Sequence, residues 1–396
     1  MTVLVQGISQ LVTNDPALGE GPLGVVRDAA LVLDGERVLW AGTAASASDV
    51  GADERVDVGG RAVLPGWVDS HTHLVFDGDR AAEFTARMAG EAYEAGGIMT
   101  TVHATREASD EQLTGLVQAR LAEMLRGGTT TVETKTGYGL SFVDEVRSAR
   151  IADATCDVTT FLGAHLVPAD FAGDIDGYLD LVCGQMLDGV LAALSGPPGG
   201  YFIDVFCEDG AFDEARSRRV LAAGQRVGLG LKVHGNQLGY GPGVRLAVDA
   251  GATSVDHCTY LTDEDIDLLA GSSTVATLLP TCDLSTRQPA APGRRLADAG
   301  ATIALASNCN PGTSYTSSMN LVVALGVLQC GLTADEAVRA ATAGGAAALG
   351  LTDVGVLRPG AFADLHVLDA PSHDHLAYRV GMPLTHAVWR RGKQVA

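Results

Sequence analysis

The sequence predicts an α/β protein: a (β/α)8 TIM-like barrel with a small discontinuous β-sandwich domain built from both termini. Three observations carry that expectation. Eight near-continuous apolar runs, as expected of parallel strands buried on both faces, alternate with amphipathic stretches over about 290 residues. The length of 396 residues suits one barrel of roughly 250 residues with an accessory domain. No Gly-x-Gly-x-x-Gly follows a first strand, which removes the signature of an open dinucleotide-binding sheet.

Taken in order, residues 1–60 hold short apolar runs at Val3–Val5, Ala29–Leu33 and Arg37–Trp40, with Asp34-Gly35 as a hairpin signal between the last two. The C-terminal stretch 355–396 reads alike, with Leu365–Leu368, His386–Trp389 and a turn at Arg391-Gly392. Neither piece buries a core alone, so 1–60 and 355–396 are expected to pair as one composite domain. Residues 61–354 form the expected barrel. Its first strand enters through Ala62–Leu64 and Pro65-Gly66; the other seven lie at Thr129–Glu133, Val158–Leu162, Phe202–Phe206, Leu229–Val233, Thr253–Val255, Val275–Leu279 and Thr302–Ala306. Helices fill the gaps. Ser109 with Gln112 predicts a capping box ahead of the stripe Leu113, Leu116, Val117, Leu121, Met124 and Leu125, and Thr333 with Glu336 predicts another.

Composition narrows the function. With 46% hydrophobic and 19% charged residues the chain is globular rather than disordered. Its net charge of −21 repels phosphate backbones and anionic lipid, so no nucleic-acid or membrane partner is expected, while a small anionic substrate can still use a local basic pocket. Seven scattered cysteines without Cys-x-x-Cys indicate neither a disulfide framework nor a zinc knuckle. The N-terminus has no basic region followed by a long apolar core, and no apolar run approaches 18 residues. A soluble, cytoplasmic protein is expected.

In a barrel of this kind the reactive groups lie at the carboxyl ends of the strands. The stretch Leu64–His73 delivers Asp69, His71 and His73 there, and in an extended chain the period of two puts both imidazoles on one face, within reach of one metal ion. Three more polar clusters end apolar runs: Val233–Gln237, Ser254–His257 and Ala306–Asn310. Of ten histidines, five end strands on this rim: His71, His73, His165, His234 and His257. His103, His366, His373, His375 and His386 lie elsewhere, and nothing converges on the second His-x-His pair, His373 and His375.

With Pro-Gly-x-Val-Asp-x-His-x-His at its start, single histidines after the fifth and sixth strands and a polar residue after the eighth, the chain resembles the amidohydrolase superfamily. More closely, Asp79-Arg80, Lys135–Gly139, Phe161–His165, Asp204–Glu208 and Asn310–Thr313 resemble the imidazolonepropionase family, from about Leu64 to Gly360. The resemblance implies metal-dependent hydrolysis of the cyclic amide C–N bond of 4-imidazolone-5-propanoate to N-formimidoyl-L-glutamate, in histidine degradation. It implies one zinc or iron ion per chain on His71, His73 and His234 with Asn308 at the remaining protein position; a homodimer is expected. By the same resemblance Arg80, Tyr93, Tyr138, His165, Gln237, Asn310, Gly312 and Thr313 contact the substrate, while His257, Gln237 and Asn308 serve catalysis. Arg80 suits a fork-like clamp on the propionate, its other reading being a surface arginine paired with Asp77 or Asp79. Tyr138 stands between glycines on a loop, whereas Tyr93 reads equally as a packing residue.

One position departs from the family. Where the family carries Asp after the eighth strand, this chain has Asn308, which holds no negative charge and cannot accept a proton as a carboxylate does. An engineered exchange, a natural variant with another base and a silenced paralogue that only binds are the three readings. Asn236 likewise stands where many members are acidic. Other cyclic amidohydrolases, dihydroorotase- or deaminase-like, form the alternative enzyme class; in binuclear relatives a strand-end lysine, here Lys135, is carbamylated to bridge two metals.

Overall fold

A computed structural model describes residues 1–47, 51–90 and 97–396. Near the N-terminus, β1 (Thr2–Val12), β2 (Val25–Asp34) and β3 (Arg37–Thr43) form an antiparallel meander, with Gly35 supplying the positive φ of 56° that the β2–β3 turn requires. β4 (Glu54–Pro65) runs parallel to β1. Eight parallel strands follow: β5 (Trp67–Asp69), β6 (Thr129–Lys135), β7 (Val158–Ala164), β8 (Phe202–Cys207), β9 (Gly230–Gly235), β10 (Ser254–His257), β11 (Val275–Leu278) and β12 (Ile303–Leu305). β13 (Leu365–Leu368), β14 (Thr385–Arg390) and β15 (Lys393–Gln394) close the chain. The expected (β/α)8 barrel is therefore present, with seven of the eight expected runs lying in its strands β6–β12.

The accessory part, expected as a sandwich, is one seven-stranded sheet in the order β15-β14-β13-β4-β1-β2-β3. It curls back on itself: the Val38 N–H donates to the Ala361 carbonyl at 2.9 Å, and the Gly360 N–H to the Val38 carbonyl at 2.9 Å. Inside the curl, Val5, Ile8, Leu11, Leu31 and Leu33 from the N-terminal strands pack with Leu365, Val367 and Trp389 from the C-terminal ones. Each such side chain contributes roughly 1.5–3 kcal/mol by leaving water.

Ala62–Leu64, read from the sequence as the lead-in of the first barrel strand, belong to β4, where Val63–Pro65 pair with β13. A parallel barrel strand and an accessory strand share the same apolar signature, so the boundary is invisible until the pairing is known. The pivot between them is Gly66, where a Cβ would stand 2.2 Å from Thr130 Oγ1. A second local difference concerns Ser109, which accepts the Gln112 N–H at 3.2 Å while the Gln112 side chain reaches Asp77 at 2.5 Å. The box is half built. Thr333 and Glu336 form the complete reciprocal pair.

β5 and β12, the two ends of the barrel sheet, share no ladder among the described residues. The gap is bridged just beyond the strands: the Asn308 N–H donates to the His71 carbonyl at 3.0 Å and the His73 N–H to the Cys309 carbonyl at 2.9 Å. Behind it, Gly344 and Gly345 let a helical turn lie against the Ile303 and Val68 carbonyls, where a Cβ would come within 2.2 and 2.3 Å. Among the described residues no helix is long and apolar enough to cross a membrane.

Candidate active site

His71 and His73 project from the segment after β5, His234 sits in β9 and His257 ends β10, so period-two alternation and barrel curvature bring all four to one rim. Ring centroids of His71, His73 and His234 lie 4.5–5.5 Å apart. One nitrogen from each of these three rings falls within 4.8 Å of the other two, and all three side chains are buried. His71 Nε2, His73 Nδ1 and His234 Nε2 have no hydrogen-bond partner. Buried polar nitrogens are rarely left so, and three converging ones fit a borderline cation that takes neutral imidazole.

Burial keeps the His71 and His73 rings neutral. Burial pushes the His71 imidazole down to about 3, helped by the Lys135 charge and opposed by Asp256. Burial likewise holds His73 and His257 well below the usual imidazole range, and His165 down to about 4. A neutral His71 whose Nδ1 stands 2.6 Å from Asp256 Oδ2 carries its proton there, leaving Nε2 as a lone-pair donor. His234 Nδ1 stands 3.0 Å from Asp204 Oδ2. Beneath both carboxylates, Lys135 Nζ reaches Glu133 Oε1 at 2.9 Å, Asp204 Oδ2 at 2.9 Å and Asp256 Oδ2 at 3.5 Å. Burial works against the Lys135 charge, but Asp204, Glu133 and Asp256 outweigh it and hold the ammonium protonated.

Above the imidazoles opens a cavity of about 260 Å³ lined by His73, Arg80, Arg87, Tyr138, His165, His234, Gln237, His257, Asn308, Asn310, Gly312 and Thr313. Every sequence-predicted substrate residue except Tyr93 therefore lies on one pocket; Tyr93 is outside the described residues. Arg80 is no surface residue. Its side chain is 3% exposed and its guanidinium is gripped by Glu83, Nε to Oε2 at 2.8 Å and Nη2 to Oε1 at 2.6 Å, rather than by Asp77 or Asp79. Gly312 lies directly beside it: a Cβ there would stand 2.4 Å from Arg80 Nη1 and push the guanidinium aside.

Asn310 organises the neighbouring loop. Its Oδ1 accepts the Gly312 and Thr313 N–H groups, both at 2.9 Å, and its Nδ2 donates to the Asn308 carbonyl at 2.7 Å. His165 Nδ1 donates to the Gly137 carbonyl at 2.9 Å, which fixes the ring beside Tyr138, centroids 5.6 Å apart. The Gln237 backbone N–H donates to Glu208, and its Nε2 lies 3.9 Å from Cys282 Sγ. Asn236, His257, Cys258 and Asn308 all carry positive φ, from 51° to 83°, where barrel strands end; His257 and Cys258 are the strained ones, since Asn tolerates this region. Asn308 is placed in this pocket and tied to the His71 carbonyl, although the buried three-nitrogen cluster consists of His71, His73 and His234.

Sequence reasoning assigned no role to Asp204 and Asp256, which orient imidazoles, to Glu133, or to Arg87, whose Nη1 donates to the Gly312 carbonyl at 3.1 Å. The available signal was charge inside apolar strands: Glu133 and Lys135, Lys232 and His234, and Ser254 and Asp256 each recur at a spacing of two.

The amidohydrolase family pattern matches residues 219–395. The chain is 60% identical to an imidazolonepropionase of Saccharopolyspora erythraea, over 100% of this chain and 99% of that one. It is 56% identical to an imidazolonepropionase of Streptomyces griseus, with 100% and 99% covered. Among solved structures, a triazine hydrolase variant superposes with a TM-score of 0.78 at 20% identity, covering 100% of this chain and 94% of that one. A zinc-complexed atrazine chlorohydrolase from Arthrobacter aurescens gives 0.75 at 18% identity, with 100% and 95% covered. Those two likenesses show the fold.

Proposed function

The chain belongs to the imidazolonepropionase family of amidohydrolases, and from that membership we propose how its rim residues divide the work. It is a hydrolase of cyclic-amide C–N bonds, opening the ring of 4-imidazolone-5-propanoate to N-formimidoyl-L-glutamate. The observation that carries the division of labour is the triple of unpartnered imidazole nitrogens beside a cavity that His73 and His234 line together with a buried arginine.

His71, His73 and His234 hold one divalent ion, zinc or iron, which supplies Lewis acidity to the ring carbonyl and to a water. Arg80 binds the propionate carboxylate, and Glu83 fixes the guanidinium so that the fork is preformed. Gly312 and Thr313 line that end, and Tyr138, with Tyr93, contacts the bound substrate. His165, with Nδ1 spent on Gly137, and Gln237 orient the heterocycle by hydrogen bonds. His257, a neutral imidazole with an unpartnered Nδ1, carries the proton to the departing nitrogen. Asn308 stands where a carboxylate would take the proton of the attacking water, so this chain binds substrate and turns it over slowly.

Lys135 argues against the binuclear alternative, since an ammonium engaged by three carboxylates has no lone pair for a carbamate. Asn308 itself favours one second reading, a chain that binds the imidazolone without hydrolysing it. A cytoplasmic homodimer is the assembly we assign.

The test is the loss of imidazolone absorbance by the purified chain and by Asn308→Asp, each metal-free and loaded with zinc or ferrous iron. Metal-dependent loss with one ion per chain is expected. Binding without turnover in both forms establishes the second reading, and two ions per chain overturn the first.

A further inference from the structure

Directly under the imidazole cluster lies a group of fully buried charges whose contacts form a pattern. Glu133, Lys135, Asp204 and Asp256 are all shut off from solvent. Lys135 Nζ touches the three carboxylates, and each carboxylate touches a different part of the ligand set. Asp256 Oδ2 accepts from His71 Nδ1 at 2.6 Å. Asp204 Oδ2 lies 3.0 Å from His234 Nδ1. Glu133 Oε2 accepts the N–H of Thr72, the residue between His71 and His73, at 3.1 Å, while the Glu133 carbonyl accepts Thr72 Oγ1 at 2.6 Å. The Lys135 backbone N–H completes the grip on the Thr72 carbonyl at 2.9 Å.

Like-charged carboxylates this close repel one another, and the Lys135 ammonium set between them holds each of their oxygens in place. A carboxylate oxygen held against one ring nitrogen fixes the orientation of that ring. The ammonium is thus the common support of three separate legs, each ending on one metal-binding histidine or on the peptide between two of them.

We propose that Lys135 is a positioning residue for the metal site, the buried cation touching Asp256, Asp204 and Glu133 alike, through which these carboxylates set His71, His234 and the His71–His73 segment for binding one ion. The inference rests on the assignment of those histidines as metal ligands. It gives Lys135 a role other than carbamate formation, and it makes Glu133, which contacts no imidazole, part of the same device.

The test is zinc affinity of the metal-free full-length chain, measured by competition with a chromogenic chelator, for the native protein and for Lys135→Met combined with Glu133→Gln. That pair removes the cation and one carboxylate together, so the net buried charge is unchanged. A folded double variant, by near-ultraviolet circular dichroism, with zinc binding weakened 10–100-fold is the expected result. Native-like zinc affinity in the folded variant overturns the proposal. Failure of the native chain itself to bind zinc or ferrous iron overturns the underlying assignment, which is a distinct outcome. If the double variant does not fold, nitrogen-15 spectra of the metal-free native chain decide. His71 and His234 both protonated at Nδ1, with Nε2 bare, is the expected result, and either ring protonated at Nε2 overturns the proposal.

Discussion

Replacing Asn308 by Asp tests the chemistry most directly. The position takes a carboxylate without steric cost: the two side chains are isosteric, and the backbone sits at φ 51°, a left-handed conformation that Asn and Asp both tolerate. The loop is held by backbone groups, with the Asn308 N–H on the His71 carbonyl and the Asn308 carbonyl on Asn310 Nδ2, and these bonds survive the exchange. The change is therefore confined to one buried charge and one proton-accepting site. A general base positioned at the reacting water contributes about 10²–10⁴ in rate, or about 3–5 kcal/mol of barrier. We expect zinc-loaded Asn308→Asp to exceed the native kcat by that factor with KM within threefold, since Arg80 and Gly312 are untouched. The metal-free variant should melt lower than the native chain at pH 8, because its new carboxylate is buried beside neutral imidazoles. Stopped-flow absorbance of the imidazolone under matched metal occupancy measures the rates. Equal kcat for the two forms would refute the argument, and would mean that the proton leaves through another group.

Arg80→Met removes the charge-assisted fork and should raise KM by about 10²-fold, from the roughly 1.5–3 kcal/mol of a hydrogen bond to a charged group, with kcat less affected. For an imidazolone lacking the carboxylate, native and variant should perform alike, and a parallel loss would dispose of the clamp. Gly312→Ala drives a methyl to within 2.4 Å of Arg80 Nη1 and should raise KM tenfold or more without changing zinc affinity, as steady-state kinetics and chelator competition can establish. His366 gives a pH prediction remote from the site: burial pushes its imidazole down to about 3, against about 6.5 unfolded. Its folded pKa is depressed, so the unfolded chain takes up the proton first and stability drains as pH falls below 6.5, by roughly 3 kcal/mol at pH 4. His366→Gln should flatten that part of the acid limb in thermal melts, and superimposable pH profiles would contradict it.

How much of this was legible in the chain follows from what each signal encodes. The eight barrel strands could be read because burial on both faces leaves a continuous apolar run, and Val158–Leu162 and Phe202–Phe206 coincide with β7 and β8 to within two residues. His71, His73 and His234 could be read because strand ends of a barrel share one rim. The end of β4 could not, since Ala62–Leu64 carry the same apolar character in either sheet and only pairing with β13 assigns them. Nor could the Glu83 grip on Arg80: a carboxylate three residues along a helix is ordinarily a solvated neighbour, and the near-complete burial of the guanidinium belongs to the tertiary fold. The buried charges Glu133, Asp204 and Asp256 were visible as residues, but their convergence on Lys135 depends on which strands lie side by side.

A cask keeps its shape by its hoop, and in this molecule the hoop is two peptide hydrogen bonds long, Asn308 to His71 and His73 to Cys309. The same few residues carry the chemistry and shut the cylinder, so substrate turnover and mechanical integrity are drawn from one stretch of backbone. Protection of the His73 and Asn308 amide protons from deuterium is accordingly a gauge of both, and a substitution that opens this join will register first in those two amides, ahead of any loss in overall helicity.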